Sequence, residues 1–391
     1  MNVVDEGRPD REELERQSLL RLRGVARAVE QYFVGRDEVL RILQVALIAR
    51  EHVLLLGPPG TGKTELVTRF AQGMQLPVFT RLLTRFTEPA EVFGPVDVAK
   101  LRAGTYVVRT AGMLPEAPIA FLDEIFQGGS PILNTLLTVL NERVFHDGSE
   151  SRPVPLVTLV GADNALPRDP STAAFADRFL LRAEVAPVAG RHLEALVESR
   201  LGRGAQQGFL AGPAQPTGFP LRVEDLDRLH RRRLGVRLEK VVPGYTELVR
   251  ELLDEGVRLS DRRIVRGMGL VASAATLREA DEASPRDLWP LAHVWSDPDE
   301  AETVRRLVDQ RVEQDGGNPM RTAPDAEVLV ARARFLAGQV GPDSTDAAME
   351  RVLRGLNEIR LELLNGAPDV RHRAAEVRER IDRVMELWTV P

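Results

Sequence analysis

A glycine- and proline-rich octapeptide follows directly on a short apolar run at residues 52–56. It consists of Gly57, Pro58, Pro59, Gly60, Thr61, Gly62, Lys63 and Thr64. The pattern G-x-x-x-x-G-K-[ST], placed between a predicted strand and a predicted helix, is typical of a loop that cradles phosphates. Its backbone N–H groups and the positive end of the following helix both face the anion. We expect Lys63 to reach the β- and γ-phosphates of ATP and the Thr64 hydroxyl to ligate Mg²⁺.

The composition is that of an ordinary globular protein, with 43% hydrophobic and 28% charged residues. No uncharged apolar run approaches the length of a membrane span, and the charged N-terminus lacks the apolar core of a signal peptide. The absence of cysteine excludes disulfides, thiolate metal sites and a cysteine nucleophile. The net charge of −6 argues against a broad nucleic-acid-binding surface. We therefore expect a soluble cytoplasmic protein.

Short apolar runs alternate with helical patterns through the first half of the chain. The predicted strands are residues 52–56, 78–83, 119–122, 156–160 and 179–185. Amphipathic patterns at 64–72 and 131–141 predict helices between strands, and residues 12–50 predict helices joined by a loop. This alternation implies an α/β fold with a parallel sheet that is covered on both faces.

Two stretches interrupt that alternation. Residues 96–110 alternate around the turn 102–104, and residues 144–157 contain the turn dipeptide Asp147-Gly148. Turn residues flanked by alternating side chains predict β-hairpins, so we expect two hairpins inserted into the α/β core.

The chain changes character near Pro187, beyond which it is predicted to be mostly helical. We expect an α/β nucleotide-binding core at 1–187, an all-α lid at 188–316 and a short helical extension at 317–391. Three helices are predicted from residue 325 onward. The apolar residues of the last two step by three and four, which indicates core packing, with a partner-binding face as the alternative.

The predicted strand at 119–122 ends in two carboxylates, Asp123 and Glu124. Downstream of a phosphate loop, we expect Asp123 to hold Mg²⁺, partly through water. Glu124 would polarise the attacking water as the general base. The alternative is an acidic pair that only favours the start of the next helix.

The predicted strand at 156–160 runs into the sequence Gly-Ala-Asp-Asn, which ends at Asn164. A neutral amide there can position the lytic water against the γ-phosphate. The carboxylate of Asp163 would instead be repelled by phosphate oxygens, so we assign the role to Asn164. The alternative is a pair of turn-forming residues.

Two arginine motifs complete the candidate site. Arg178, in the sequence Asp-Arg-Phe before the last predicted strand, is predicted to stabilise transition-state charge in a neighbouring subunit. Arg262, in the sequence Ser-Asp-Arg-Arg that opens a lid helix, is predicted to contact the γ-phosphate from the lid side. Arg263 is the alternative, and in a chain with 49 arginines either motif could be ordinary surface.

The order of these motifs resembles that of an AAA+ module. Residues 84–95 (TRFTEPAEVFGP) and 132–143 (ILNTLLTVLNER) are similar to the MoxR family, most closely to its regulatory ATPase branch, RavA. Val34 and Gly35 lie in a segment that resembles the loop bordering adenine in this superfamily. The resemblance covers about residues 15–314 and is specific, because those two stretches are not general AAA+ signatures.

The resemblance implies a five-stranded core, an α-helical lid, insertion hairpins that face a central pore, and a hexameric ring. It also implies a Mg²⁺- and ATP-dependent, chaperone-like remodeller, often acting on a von Willebrand factor A protein. The short helical C-terminus departs from the longer, β-rich extension of RavA-like proteins, which leaves the partner open.

Other function classes share many of these motifs. A nucleic-acid motor of the AAA+ type also carries insertion hairpins, but residues 96–110 mix basic residues with Asp97, and the chain is acidic overall. A chelatase-type subunit that inserts a metal remains an alternative. A GTPase is disfavoured, because no Asn-Lys-x-Asp run is present to recognise guanine.

Overall fold

The computed structural model describes residues 11–30, 32–33, 35–148, 150–167, 169–187, 220–315, 317, 330, 333, 337, 340–341, 346–364 and 373–389. The chain forms two compact units, Met1–Asn318 and Pro319–Pro391. The predicted boundary between core and lid adjoins residues 188–219, which lie outside the described residues, so the three-part division stays a prediction.

A five-stranded parallel sheet forms the centre of the first unit. The strands within the described residues are β1 (Val53–Leu56), β2 (Val78–Leu82), β3 (Ile119–Asp123), β4 (Val144–Asp147), β5 (Glu150–Pro153), β6 (Thr158–Asp163) and β7 (Leu181–Glu184). The sheet has the order β2-β3-β6-β1-β7, and among the described residues β4 pairs only with β5. The predicted α/β fold with a parallel sheet is therefore confirmed.

Helices account for most of the rest of the first unit. They are α1 (Arg11–Glu30), α2 (Asp37–Ala49), α3 (Lys63–Met74), α4 (Pro89–Phe93), α5 (Val98–Arg102), α6 (Ser130–Glu142), α7 (Pro170–Ala176), α8 (Val223–Leu234), α9 (Val242–Asp254), α10 (Asp261–Leu277) and α11 (Pro298–Gln314). The helices predicted at 64–72 and 131–141 are confirmed as α3 and α6. All four residues of β1 are buried, as expected for a parallel strand with both faces covered.

The fourth strand of the sheet differs from its prediction. The apolar run predicts a strand at residues 156–160, whereas β6 spans Thr158–Asp163. All six of its residues are buried, and Gly161 and Ala162 pair with Leu54 and Leu55 of β1. The strand is longer because its pairing with β1 continues through Gly161 and Ala162 to Asp163, and a Cβ on Gly161 would lie only 2.9 Å from the Ile125 side chain. Asp163 is therefore the last residue of a strand and not part of a turn.

The predicted hairpin at 96–110 is wrong. The Asp97 side chain accepts hydrogen bonds from the backbone N–H groups of Ala99 and Lys100, at 3.0 and 3.2 Å, and so caps the short helix α5. A single bridge between Val96 and Val108 pairs the flanks of that helix. Local capping therefore outweighs the alternating pattern.

The second predicted hairpin is confirmed by the antiparallel pair β4 and β5. Its Asp147 accepts a hydrogen bond from the Val108 N–H at 2.7 Å, and a Cβ on Gly148 would lie 2.8 Å from the Tyr106 ring. The hairpin and the α5 segment therefore pack against each other as one insertion.

Helix α10 is joined to the sheet by Arg263, whose side chain is 1% exposed. Its guanidinium donates to Asp177 Oδ1 at 2.9 Å and to the Phe179 carbonyl at 3.1 Å. It lies 3.3 and 3.4 Å from the carbonyl oxygens of Leu180 and Trp295, within hydrogen-bonding distance. A buried guanidinium with this many acceptors holds α10 at the start of β7.

We expect Arg263→Ala to destabilise the first unit by about 3 kcal/mol, because it removes one partner of a buried ion pair and leaves four acceptors without this donor. Thermal unfolding followed by circular dichroism measures the change. The exposed ion pair of Arg237 with Glu282 supplies the control, since Arg237→Ala should lower the Tm only slightly. Equal losses in the two variants would contradict this role for Arg263.

The second unit contains the helices α12 (Asp346–Leu364) and α13 (Arg373–Thr389). The apolar stripes predicted for core packing are confirmed as buried, and they include Met349, Leu356, Ile359, Val377 and Val384. The first predicted tail helix falls mostly outside the described residues. Within the described part of the chain, no helix has both the length and the apolar character needed to cross a membrane.

Candidate nucleotide site

The glycine-rich loop joins β1 to α3 at the carboxyl end of the sheet. A Cβ on Gly57 would lie 2.3 Å from the carbonyl oxygen of Val185, so only glycine fits where the loop leaves the sheet. Gly62 has φ +81° and precedes Lys63, the first residue of α3. This left-handed residue turns the chain so that the N-terminus of α3 faces the loop, as an anion site requires.

The Lys63 side chain lies along the inside of the loop. It is buried, and its Nζ donates hydrogen bonds to the carbonyl oxygens of Gly57 and Pro58 at 2.5 and 3.1 Å. These contacts hold the ammonium group beside the amides that would surround a phosphate. The geometry matches the expected position for Lys63.

Thr64 and Asp123 meet at the carboxyl ends of β1 and β3. The Thr64 hydroxyl donates a hydrogen bond to Asp123 Oδ2 at 2.6 Å. A hydroxyl and a carboxylate that converge in this way fit Mg²⁺, which proteins usually hold through one or two carboxylates together with substrate phosphates. Both predicted metal ligands are therefore brought together.

Glu124 follows β3 in a strained backbone conformation, with φ +51° and ψ +47°. A non-glycine residue in the left-handed region is uncommon, and such strain is concentrated at functional sites. Burial and the neighbouring charges of Asp163 and Asp123 raise the pKa of the Glu124 carboxyl above its ordinary value. A raised pKa makes this carboxylate a better proton acceptor.

Asn164 lies beside Glu124. Its Nδ2 is 3.3 Å from Glu124 Oε1, within hydrogen-bonding distance. Because β6 lies between β3 and β1, its end brings this amide between the phosphate loop and the Asp123-Glu124 pair. The structure therefore brings together five predicted residues: Lys63, Thr64, Asp123, Glu124 and Asn164.

Asp163 is a structural element of the site whose role the sequence did not reveal. Asp163 is 6% exposed, and its two carboxylate oxygens accept hydrogen bonds from the backbone N–H groups of Asn164 and Phe126, at 2.7 and 2.9 Å. It thus holds the segments that carry both Glu124 and Asn164. The sequence did contain a signal for this role of Asp163. It is a carboxylate that ends one strand, where the neighbouring strand ends in the pair Asp123 and Glu124.

Arg36 is a second residue whose role the sequence did not reveal. Its Nη2 donates to the carbonyl oxygens of Thr61 and Ala186, at 3.2 and 2.7 Å, so it links the phosphate loop to the segment after β7. Burial lowers the pKa of Arg36. Of the two predicted adenine-bordering residues, Gly35 has φ +68°, and Val34 lies outside the described residues.

Arg178 lies where the strands of the sheet begin (the amino edge), whereas Lys63 lies where they end (the carboxyl edge). It stands three residues before β7, and the first residue of β7, Leu181, pairs with Val53 at the start of β1. The strand β1 alone spans about 13 Å at roughly 3.3 Å per residue. Arg178 Nη1 is 3.6 Å from Asp177, and its Nε is buried without a hydrogen-bond partner among the described residues.

Arg262 also lies at this amino-terminal edge, which corrects the expectation that it faces the phosphate loop of its own chain. Its Nη1 donates to Asn141 Oδ1, at the end of α6, at 3.0 Å. Burial and the like charges of Arg266 and Arg178 lower the pKa of Arg262. Arg263, the alternative, is fully engaged in holding α10 to the sheet. The roles of these two adjacent arginines can be distinguished only by their contacts in the folded chain.

Family models match two parts of the chain. Residues 20–209 match the MoxR domain of the MoxR-vWA-beta-propeller ternary systems, and residues 243–308 match an AAA lid domain. The first match contains the phosphate loop and both edges of the sheet. The second contains Arg262 and most of the helices α9, α10 and α11.

Relatives extend this similarity over most of the chain. The uncharacterized protein MJ0812 of Methanocaldococcus jannaschii is 35% identical over 282 residues, which is 71% of this chain and 72% of that protein. Chaperone MoxR1 of Mycobacterium tuberculosis is 30% identical over 162 residues, which is 40% of this chain and 42% of that protein. A crystal structure from Cytophaga hutchinsonii shares the fold at 18% identity. Its TM-score is 0.60, and the match covers 77% of this chain and 96% of that one.

Proposed function

The chain belongs to the MoxR family of AAA+ ATPases, and we propose that it is a Mg²⁺-dependent, ring-forming ATPase that remodels a protein partner. The observation that carries this proposal is the division of its candidate site residues between two edges of one sheet. Lys63, Thr64, Asp123, Glu124 and Asn164 lie at the carboxyl edge. Arg178 and Arg262 lie at the amino edge, which supports a site that a second subunit completes.

The residues of the carboxyl edge account for water activation. Glu124 takes the proton of the attacking water, and Asn164, next to it, holds that water in line with the γ-phosphorus. Lys63 and the loop amides bind the phosphates. Mg²⁺, when held by Thr64 and Asp123, would neutralise charge on the phosphate oxygens. Asp163 keeps Glu124 and Asn164 in place through two backbone N–H groups.

The positive charge that the transition state needs comes from a second subunit in this proposal. Arg178 and Arg262 of one subunit would meet the nucleotide held at the carboxyl edge of the next. Such a head-to-tail contact between unlike surfaces closes into a ring when the rotation between subunits allows it. We expect a hexamer, as the resemblance to the family implies.

A von Willebrand factor A domain protein is our proposed partner. It is supported by the description of the matched family model, which places such MoxR domains in ternary systems with a vWA and a β-propeller component. Similarity to MoxR1, a chaperone, supports a remodelling role over a nucleic-acid motor or a chelatase-type subunit. Closeness to the RavA branch and a cytoplasmic location remain predictions.

Capture of the partner in the ATP-bound state tests this function. A tagged Glu124→Gln protein should hold ATP and retain the partner. A vWA protein should therefore co-purify with the tagged protein when ATP is present, and less so when ADP is present. A Lys63→Ala protein is the control that should retain neither. Co-purification of nucleic acid in place of a vWA protein would contradict the proposal.

The raised pKa of Glu124 leads to a prediction about pH. A general base works only when it is deprotonated, so turnover should fall on the acid side at a pH set by that pKa. Burial is the main cause of the raised pKa and the charge of Asp163 is the next, so Asp163→Asn should move this acid limb to lower pH. The pH dependence of kcat at saturating ATP measures the shift. An unchanged limb would contradict electrostatic coupling between the two carboxylates.

A further inference from the structure

Arg36 is a buried positive charge beside the phosphate loop. It is 9% exposed, and burial lowers the pKa of its guanidinium. Among the described residues, no carboxylate forms an ion pair with it. The two acidic residues that follow it have other partners, since Asp37 pairs with Arg41 at 2.7 Å and Glu38 with His293 at 3.0 Å. A buried charge without a counter-ion costs free energy, which is expected where a ligand supplies the missing negative charge.

One hydrogen bond of Arg36 orients a peptide of the phosphate loop. Arg36 Nη2 donates to the Thr61 carbonyl oxygen at 3.2 Å. The peptide between Thr61 and Gly62 is trans, so its C=O and N–H groups point in opposite directions. The N–H of Gly62 therefore points away from Arg36, and it donates to no other group in the part of the chain that the structure describes. Backbone N–H groups of such a loop are the groups that bind phosphate.

The same guanidinium is anchored on the end of the sheet. Arg36 Nη2 also donates to the Ala186 carbonyl oxygen at 2.7 Å. The preceding residue, Val185, donates its N–H to the Leu56 carbonyl oxygen at 2.6 Å, and a Cβ on Gly57 would lie 2.3 Å from the Val185 carbonyl oxygen. The segment after β7 is thus held against the start of the phosphate loop. Because this acceptor is fixed, the guanidinium can hold the loop in one conformation before the ligand arrives.

We propose that Arg36 is a positioning residue for the polyphosphate of ATP. It fixes the peptide between Thr61 and Gly62 so that the Gly62 N–H meets the phosphates. The negative charge of the bound polyphosphate in turn compensates the buried charge of Arg36. The inference rests on the proposed function, which requires the loop to hold ATP. Loss of Arg36 should therefore weaken the binding of any ligand that carries the polyphosphate, with or without a nucleoside.

Equilibrium binding to an Arg36→Met protein tests this role. Methionine keeps an unbranched side chain, but it carries no charge and donates no hydrogen bond. The Kd for Mg-ATP should rise about ten- to a hundred-fold, as expected for the loss of hydrogen bonds from a charged group. The Kd for inorganic tripolyphosphate, measured by competition with a fluorescent ADP analogue, should rise by a similar factor. A loss confined to ATP would show that Arg36 acts on the nucleoside, and would overturn the proposal.

Arg143→Met is the matched control. Burial lowers the pKa of Arg143 to about 10, and its guanidinium donates to the carbonyl oxygens of Leu156 and Arg50, each at 2.8 Å. These acceptors precede β6 and β1, so they lie at the amino edge, away from the phosphate loop. Arg143→Met should lower the Tm of the nucleotide-free protein and keep the wild-type Kd for Mg-ATP. An equal rise in the Kd of the two variants would show a general loosening of the fold, and would overturn the proposal.

Arg36→Lys separates the charge of Arg36 from its hydrogen bonds. Lysine keeps the charge but lacks the planar fork of a guanidinium, so its Kd for Mg-ATP should fall between those of the wild type and Arg36→Met. The rise in Tm on addition of Mg-ATP is a second measurement, because a ligand stabilises the fold according to its concentration relative to Kd. That rise should be smallest for Arg36→Met. A Kd for Arg36→Lys no lower than that of Arg36→Met, or a wild-type rise in Tm for Arg36→Met, would contradict the role.

Kinetics distinguish positioning from catalysis. Arg36→Met should raise the KM for ATP and leave kcat at saturating ATP nearly unchanged, because it weakens the binding of the ground state and the transition state alike. A lower kcat with an unchanged KM would assign Arg36 to the chemical step and overturn the proposal. Failure of the proposed function would look different. The wild type itself would then hydrolyse no ATP or capture no partner, while the Kd values of the Arg36 variants would still test the positioning role.

Discussion

Glu124→Gln is expected to lower ATP turnover by roughly 10² to 10⁴, the usual contribution of a general base, while ATP binding stays intact. The glutamine is nearly the same size, so it keeps the contact with Asn164 but cannot accept a proton from water. The burial and neighbouring charges that raise the pKa of Glu124 suit it to that role. Steady-state phosphate release and equilibrium binding of a fluorescent ATP analogue measure the two effects separately.

Lys63→Ala is the companion variant for this experiment. It removes the ammonium group beside the loop carbonyls of Gly57 and Pro58, so it should abolish nucleotide binding along with turnover. Wild-type turnover by Glu124→Gln would show that another group is the base. Lost ATP binding by Glu124→Gln would show that the residue holds nucleotide instead of activating water.

Arg178→Ala should bind ATP as the wild type does, yet hydrolyse it roughly 10³ to 10⁵ more slowly, as expected for an arginine that stabilises transition-state charge. The physical reason is its place at the amino edge of the sheet, away from the phosphate loop of its own chain. Specific activity of the wild type should also rise with protein concentration until assembly saturates. Turnover measured across a dilution series, alongside sedimentation, checks both expectations.

Mixing experiments distinguish a shared site from a site within one chain. Arg178→Ala and Lys63→Ala are each expected to be inactive, but their mixture should regain some activity. In mixed rings, an Arg178→Ala subunit supplies an intact phosphate loop and its Lys63→Ala neighbour supplies an intact Arg178. The matched control mixes Arg178→Ala with the Arg178→Ala, Lys63→Ala double variant, which should restore nothing. No rescue in mixed rings that demonstrably form would contradict the shared site.

Local sequence was sufficient for the phosphate loop and for the strands and helices around it. The spacing of glycines, Lys63 and Thr64 works through backbone geometry over eight neighbouring residues, so tertiary structure has little to add. The apolar runs identified all five strands of the sheet, and those of β1 and β3 are apolar nearly throughout because these central parallel strands are buried on both faces. The family was also recognisable from the stretches at 84–95 and 132–143.

The local sequence gave a wrong prediction where two local signals competed. It gave no prediction where a role depends on a distant contact. The alternation at 96–110 predicted a hairpin, but the cap provided by Asp97 gives α5 instead. The role of Asp163 depends on Phe126, which is 37 residues away. Arg36 depends on a carbonyl oxygen 150 residues away. Hydrogen bonds over such separations leave no periodic trace in the sequence.

The sequence by itself thus determined the phosphate loop and the α/β fold, because both follow from short-range patterns of glycine, charge and apolar residues. Only the tertiary structure decided which of two adjacent arginines, Arg262 or Arg263, is available to act. Arg263 is occupied by four acceptors, three of them just before β7 and the fourth the carbonyl oxygen of Trp295, while Arg262 remains at the surface with Asn141 as its hydrogen-bond acceptor. The direction in which α10 packs on the sheet sets that difference. Such packing is a property of the whole core and not of any segment.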